Sequence, residues 1–223
     1  MTSHCILCSG TQVSLFNQVI DVGIDNKKNY FSCEECQLIF LDQQHWTSTQ
    51  QEKVRYDLHQ NRPECPGYRE HLERLLLPLY PLINCHDLGL DYGCGPYPLL
   101  GQLFEAHGLT HPMKNYDPFY APDTTVLNQK YHFVTCNEVA EHFRDPKEEW
   151  KKLTRMLLPR GLIGISTNWW QHQDSKKFSD WYYRRDPTHL CFYRMATLKY
   201  LADKFSLEIV VAEHPIIIFQ KKV

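Results

Sequence analysis

Long apolar runs are missing from this sequence, whose mean hydropathy is −0.47. Without a stretch of about 18 apolar residues, no membrane-spanning helix is expected. The start, Met1-Thr2-Ser3-His4-Cys5, lacks a basic segment leading into an apolar one, so no secretory signal is expected. An excess of either charge is missing too. The 24 Lys and Arg balance 26 Asp and Glu, giving a net −2 and an isoelectric point near 6.6. That balance offers no overall footprint for a polyanion. No internal repeat and no low-complexity tract is found. What is present is a chain of 223 residues, 43% of them hydrophobic, enough to pack a core and to argue against disorder. The length suits one full-sized domain with room for a small second unit. The composition suits a soluble, cytoplasmic protein.

Nine cysteines fall into two groups. Cys65, Cys85, Cys94, Cys136 and Cys191 are scattered. The others form two C-x-x-C pairs, Cys5/Cys8 and Cys33/Cys36, with 24 residues between them (33 − 8 − 1). Two such pairs supply the four thiolates that tetrahedral zinc prefers. The segment between them carries Val13, Leu15, Val19, Ile20, Val22 and Ile24 in loose alternation, as short strands do. This is a zinc-ribbon pattern. Redox pairs and buried structural thiols are the competing readings, but a redox C-x-x-C usually opens a helix after a strand, and neither pair does. Four thiolates leave no open position, so the metal is expected to be structural. Units below about 45 residues rarely fold without such a staple.

Further on, Gln43 to Gln60 is polar and linker-like, and a helix is expected from about Gly67 to Leu79, where Leu72, Leu75, Leu76 and Leu79 recur at helical spacing. Strands and helices then alternate. Strands are expected at 88–92, 114–117, 132–136 and 161–167, with helices at 99–107, from Asp145 through Leu158, and at 195–205. Residues 207–212 and 216–220 read as a strand pair joined at His214-Pro215. The expected fold class is therefore α/β: a Rossmann-like, doubly wound and mostly parallel sheet, with a C-terminal antiparallel hairpin and a small N-terminal zinc ribbon. The divisions are a ribbon over 1–45, a helical connector over 46–86 and a Rossmann-like domain over 87–223.

Gly93-Cys94-Gly95 follows the first strand of that domain, where ligands of such sheets bind. A dinucleotide site needs amide donors for a pyrophosphate, yet Pro96 and Pro98 remove two of them from this loop. The loop disfavours NAD or FAD. Leu90-Asp91-Tyr92-Gly93-Cys94-Gly95 resembles motif I of the class I S-adenosylmethionine-dependent methyltransferases. The stretches Phe133 to Phe143, Leu157 to Ile163 and Asp186 to Tyr193 resemble further motifs of that family, and members with an N-terminal double C-x-x-C module are known. The resemblance spans about Tyr56 to the C-terminus. It implies that Asp91, Gly93, Cys94, Gly95, Asp117 and Asn137 bind S-adenosylmethionine, with Asp117 accepting from both ribose hydroxyls. Two positions depart from the pattern. Tyr97 stands where the family has its third glycine, which should crowd the methionine end or push the loop outward. The region 121–130 shows no clear third strand, so no residue is assigned to adenine.

Methyl transfer from a sulfonium needs alignment, exclusion of water and at most a base. His142, His189 and Glu138 are the catalytic candidates. Glu138, Glu141, His142 and a later His189 are also similar to the metal-binding set of ubiquinone-pathway and small-RNA O-methyltransferases. That likeness implies a second divalent ion, with residues 138, 141 and 142 on one face of a helical turn; bracing of the loop without metal is the plain reading. From Arg144 to Arg194 the chain is locally basic, 11 Lys and Arg against 6 Asp and Glu, and it holds Trp150, Trp169, Trp170 and Trp181. Trp169-Trp170 and Trp181-Tyr182-Tyr183 are expected to cap a small-molecule acceptor, with nucleic acid as the other reading of this stretch. Tyr56 and Tyr68 are expected to close over the cofactor. The expected function is methyl transfer to an acceptor the sequence does not name. Alternatives are a catalytically silent methyltransferase-like module docking protein or RNA through its ribbon, and a nicotinamide oxidoreductase. Neither motifs nor composition speak to oligomeric state.

Overall fold

The computed structural model describes residues 4–20, 27–58, 61–172 and 174–223. Strand β1 (Val13–Ile20) pairs antiparallel with β2 (Lys27–Cys33), and β3 (Ile39–Leu41) lies along the far side of β2. Val22 and Ile24, expected in a strand, lie outside the described residues. Helix α1 (Thr49–Asp57) fills the stretch that reads as a polar linker. Ser48 and Gln51 cap it reciprocally, through Ser48 Oγ and the Gln51 side-chain amide. Its buried residue is Glu52, held by Arg144 at 2.8 Å. Periodicity arguments look for an apolar stripe, and α1 is anchored by charge instead.

Helix α2 (Pro66–Leu79) follows the expected span. The alternating part comprises β4 (Gly89–Tyr92), α3 (Leu99–Ala106), β5 (Lys114–Tyr116), β6 (Tyr131–Asn137), α4 (Pro146–Arg155), β7 (Leu157–Ser166), α5 (Ser175–Asp180), β8 (Cys191–Phe192), α6 (Met195–Lys204), β9 (Leu207–Glu213) and β10 (Ile216–Lys221). Among the described residues one sheet has the order β5-β4-β6-β7-β10-β9. Its first four strands are parallel and β10 runs antiparallel to both neighbours, which is the expected α/β fold. Leu72, Leu75, Leu76 and Leu79 of α2 pack on one face with Leu103, Phe104 and Phe133. Gly164 permits this contact, because a Cβ there would sit 2.9 Å from Leu79 Cδ2. Trp150 of α4 and Leu198 and Leu201 of α6 cover the other face.

The boundary between α4 and β7 differs from expectation. Helix α4 stops at Arg155 rather than Leu158, because Leu157 already pairs with Tyr131 and β7 begins there. Region 121–130 forms a short 3-10 turn at Thr124–Asn128, with Asp123 accepting from Thr125 N, and leads straight into β6.

Strand β8 lies within the alternating part in sequence but completes the other sheet, of order β1-β2-β3-β8, through the pairs Ile39↔Phe192 and Phe40↔Cys191. Aromatic rings seal the junction. Phe178 lies 5.4 Å from Phe16, 4.9 Å from Tyr30, 5.2 Å from Phe192 and 5.4 Å from Trp170, mostly edge to face. No helix among the described residues is long and apolar enough to cross a membrane.

Candidate functional site

A cavity of about 1170 Å³ opens over the carboxyl ends of β4 and β6, where α/β sheets bind ligands. Gly93, Cys94, Gly95, Asp117 and Asn137 form one side of it. Gly93 (φ +85°) and Gly95 (φ +65°) are left-handed, a region glycine enters without strain. At Gly93 space matters as well, since a Cβ would meet Val139 Cγ2 at 2.3 Å. The amides of Gly93 and Cys94 both donate to Tyr116 O, at 2.7 and 3.1 Å. Asp117 ties this loop to its own: Oδ2 accepts from Gly95 N (3.1 Å), and Oδ1 from Phe119 N (2.8 Å) and Tyr120 N (3.1 Å). A carboxylate has about four acceptor sites, so these amides use all but one. Asp117 is thus first of all a loop clamp. Tyr97 is 43% exposed and does not line the cavity, so its side chain does not crowd it.

Asp91 does not reach the wall. It is buried behind it, Oδ1 accepting from Thr135 Oγ1 at 2.8 Å, and burial pushes its carboxyl up to about 6. Burial likewise raises the Cys94 thiol, to about 12, and keeps it protonated. Asn137 Nδ2 lies 3.3 Å from His71 Nε2, while Asn137 Oδ1 is buried without a partner among the described residues. An orphaned acceptor on a cavity wall fits a ligand N–H donor.

The other side is a polar cluster of buried side chains. Glu141 Oε1 accepts from Tyr183 OH (2.5 Å) and Oε2 from Thr167 Oγ1 (3.1 Å). The same Tyr183 hydroxyl is 3.1 Å from Glu138 Oε2, and Glu138 Oε1 accepts from Ser166 Oγ at 2.8 Å. One phenol proton cannot satisfy two carboxylates. Burial, reinforced by Glu138, pushes Glu141 well above the usual carboxylate range. His142 Nδ1 lies 3.0 Å from Thr188 O, and His189 Nδ1 2.6 Å from Tyr183 O. A carbonyl only accepts, so both rings place their proton on Nδ1 and keep Nε2 as the lone pair. His189 is pushed down to about 3, by burial and then by His142, and stays neutral.

Glu141, His142 and His189 each bring a ligand atom within 4.8 Å of the others. Glu138 is not in that set. The expected helical turn from 138 to 142 does not form, because Glu138 is left-handed (φ +52°) and a 3-10 turn covers only Ala140–His142. Its carboxylate turns instead to Ser166 and Tyr183. Of the expected acceptor cap, Tyr182 and Tyr183 line the cavity, whereas Trp169, Trp170 and Trp181 do not. Those tryptophans belong to the aromatic core, Trp170 stacking on Trp181 at 5.1 Å. Tyr56 and Tyr68 reach the wall, and Tyr56 sits edge-on to His142 at 5.2 Å.

Several wall residues escaped the sequence reading: His71, Glu52, Arg55 and Arg144. Arg55 Nη2 pairs with Asp186 Oδ2 at 2.8 Å, and Arg144 with Glu52. These pairs join residues about a hundred positions apart and leave no local signal. His71 lies three positions after Tyr68 on the same helical face, a spacing that carried a hint.

Away from the cavity, Cys5, Cys8, Cys33 and Cys36 cluster within 4.8 Å. Cys5 and Cys36 sulfurs are 3.5 Å apart and those of Cys8 and Cys33 3.4 Å, well beyond a disulfide bond of about 2.05 Å. A zinc tetrahedron with bonds of about 2.3 Å has edges of about 3.8 Å, close to this spacing. Leu7 N and Gly10 N donate to the Cys5 and Cys8 sulfurs (3.4 and 3.3 Å), and Ser9 and Gln37 turn left-handed just after each pair. The donor set fits zinc.

A methyltransferase-domain family model matches residues 58–212, well over half of the sequence. The chain belongs to this family. No curated protein matches it. Among solved structures, it is similar to a 1,6-didemethyltoxoflavin N1-methyltransferase from Burkholderia thailandensis with bound 1,6-didemethyltoxoflavin and S-adenosylhomocysteine. That likeness has 14% identity, 85% of this chain, 98% of that one and a TM-score of 0.53. It is also similar to the N-methyltransferase NodS from Bradyrhizobium japonicum, in complex with S-adenosylhomocysteine, at 14% identity, 77% and 97% coverage and a TM-score of 0.50. At such identities the likeness concerns the fold, which is that of Rossmann-like methyltransferases.

Proposed function

We propose that this protein transfers a methyl group from S-adenosylmethionine to a hydroxyl of a small molecule. The observation that carries this reading is that the Gly93–Gly95 loop and the Glu141–His142–His189 cluster open onto one cavity. Its volume exceeds the range of about 300–1,000 Å³ that takes one drug-sized ligand, leaving room for donor and acceptor together. A small-molecule acceptor also agrees with the toxoflavin precursor bound in the Burkholderia relative.

The bound donor supplies an activated methyl carbon. On its side, Gly93 and Gly95 let the backbone approach closely, Asp117 offers its remaining acceptor site to a ribose hydroxyl, and Asn137 Oδ1 accepts from the amino group. Cys94 contributes backbone alone, and Asp91 supports the loop from behind. Tyr56, Tyr68 and Phe119 cover the cavity and exclude water. Across from them, the Nε2 lone pair of His142 is positioned to take the hydroxyl proton, a contribution of about 10²–10⁴ in rate, while the buried, neutral His189 offers its Nε2 as an acceptor that orients the hydroxyl. Glu138 acts through Tyr183, holding the phenol in place. Glu141, His142 and His189 also fit a divalent cation, with backbone carbonyls fixing both imidazoles from behind. Such an ion would lower the pKa of the acceptor hydroxyl.

Calorimetric titration with S-adenosylhomocysteine tests the donor assignment. One site is expected, weakened at least tenfold in Gly93→Val, and absence of binding overturns it. Equilibrium dialysis against Mn²⁺ tests the cation: one equivalent is expected in the wild type and none in His189→Ala, after the ribbon metal is counted separately. No uptake by the wild type overturns the cation and leaves His142 as the base.

A further inference from the structure

We propose that the zinc ribbon is a positioning element for the acceptor side of the cavity, holding in place the peptide that carries His189. This rests on the reading of His189 as an acceptor-side residue, but its structural argument is independent of the reaction.

The connection runs through one residue. Leu190 lies directly after His189, and its two backbone groups point in opposite directions. Its carbonyl accepts from Leu41 N, at the end of β3, at 2.9 Å. Its amide donates to Glu141 O, in the turn carrying Glu141 and His142, at 2.8 Å. Ribbon strand and active-site turn are thus bridged by a single residue. Strand β8 continues the bridge, Cys191 and Phe192 pairing with Phe40 and Ile39 while Cys191 Sγ contacts Phe143 O at 3.3 Å. On the near side, Thr188 O receives His142 Nδ1. Both histidines therefore depend on residues 188–192, and that segment is backed by the ribbon.

The ribbon, in turn, depends on its thiols. Strand β3 has three residues, and the hairpin entering it closes through Cys33 N to Leu38 O (3.0 Å) and Gln37 N to Cys33 O (3.0 Å). Cys33 and Cys36 flank that turn. The amino-terminal pair is tied to β2 by the β1–β2 pairing and meets the turn before β3 at the four-sulfur cluster, so a shared metal would lock Cys5/Cys8 and Cys33/Cys36 into one unit. The docking contacts continue from there: Arg194 Nη1 donates to Ser32 Oγ (3.2 Å) and Gln37 Oε1 (3.0 Å), and Lys147 Nζ to Ser9 Oγ (3.1 Å). The residues that a separate docking module would present to a partner are spent here on the chain's own α/β layer. Among the described residues nothing comparable links the ribbon to Gly93–Gly95 or Asp117, which bond to one another and to Tyr116, Phe119, Tyr120 and Ala121. The coupling is one-sided.

Hydrogen exchange read by mass spectrometry tests this on the full chain, before and after chelation of the ribbon metal. Exchange at Ile39–Leu41 and Leu190–Phe192 is expected to accelerate at least tenfold, with protection in β4 and β6 unchanged and re-added zinc restoring the original rates. S-adenosylhomocysteine affinity, measured on the same samples, should stay within about threefold. Unchanged exchange at Leu190–Phe192 after metal loss overturns the proposal. So does equal loss of protection in β4 and β6, which would make the metal a staple of the whole chain. Arg194→Gln supplies a milder variant that keeps all four cysteines. It is expected to retain one equivalent of zinc and to speed exchange at Leu190–Phe192 by a smaller factor, and no change there also counts against the coupling. If the wild type fails to bind S-adenosylhomocysteine, the methyltransferase reading falls while the exchange result still decides the ribbon's role.

Discussion

The donor side of the cavity is built from backbone, whereas the acceptor side is built from buried polar side chains. On the donor side, two left-handed glycines and an aspartate that clamps three amides shape the wall, and every partner lies within about 25 residues. On the acceptor side, Glu138, Glu141, Tyr183, Ser166 and Thr167 share protons between segments 16 to 45 residues apart, and the histidines lean on the carbonyls of Thr188 and Tyr183. A backbone-made wall fails through sterics, one residue at a time. A side-chain network fails by leaving a buried group unpaired, and its members are strongly coupled.

Substitutions on the two sides should therefore separate cleanly. The largest effect is expected from His142→Ala: methyl transfer falls by about 10²–10⁴ while S-adenosylhomocysteine affinity stays within threefold, measured by turnover and calorimetry on one preparation. Loss of both together would erase the distinction. Gly93→Val comes next. A side chain pressed into Val139 from a left-handed backbone costs about 2–5 kcal/mol, seen as weaker S-adenosylhomocysteine binding or a lower Tm.

Asp91→Asn follows, and it has a pH signature. The folded carboxyl, raised to about 6 by burial, binds a proton more readily than the unfolded one near 3.8. The folded state thus holds more protons between these values, and stability declines as pH rises through that window, by about 3 kcal/mol. Denaturant titrations from pH 4 to 7 should show this slope in the wild type and a flatter profile in Asp91→Asn; identical slopes would show that Asp91 is not its source. The smallest effect is expected at α1, where Tyr120→Phe removes the hydroxyl that donates to Asp57 at 2.6 Å. The exposed contact should contribute little, measurable as a small drop in Tm with no change on the acceptor side.

The same contrast decides how much was readable beforehand. Glycine spacing, the proline-bearing loop and Asp117 are local, so the donor side was legible as a motif. The paired cysteines were legible for the same reason. What was misjudged is non-local. Glu138 looked like a fourth ligand because a helical turn would align it with Glu141 and His142, yet its left-handed backbone sends it toward Ser166 and Tyr183. The tryptophans looked like an acceptor cap because they follow β7, but an aromatic core was forming against a ribbon far away in sequence. Helix α1 read as a linker because its anchors, Arg144 and Asp186, lie about a hundred residues further on.

By itself, then, the sequence determined the chemistry on offer: four thiolates at zinc spacing, a glycine loop without phosphate donors, two histidines and two glutamates near strand ends, and alternation enough for an α/β sheet. Period and spacing are short-range properties, and a chain carries them whatever it later packs against. Only the tertiary structure decided which of those groups meet. It set Glu138 apart from Glu141, gave both imidazoles the same tautomer by aiming Nδ1 at carbonyls, and placed β8 in the ribbon's sheet instead of its own layer's. Those choices depend on burial, where an unpaired polar group is too costly to leave, and burial exists only once distant segments have closed around it.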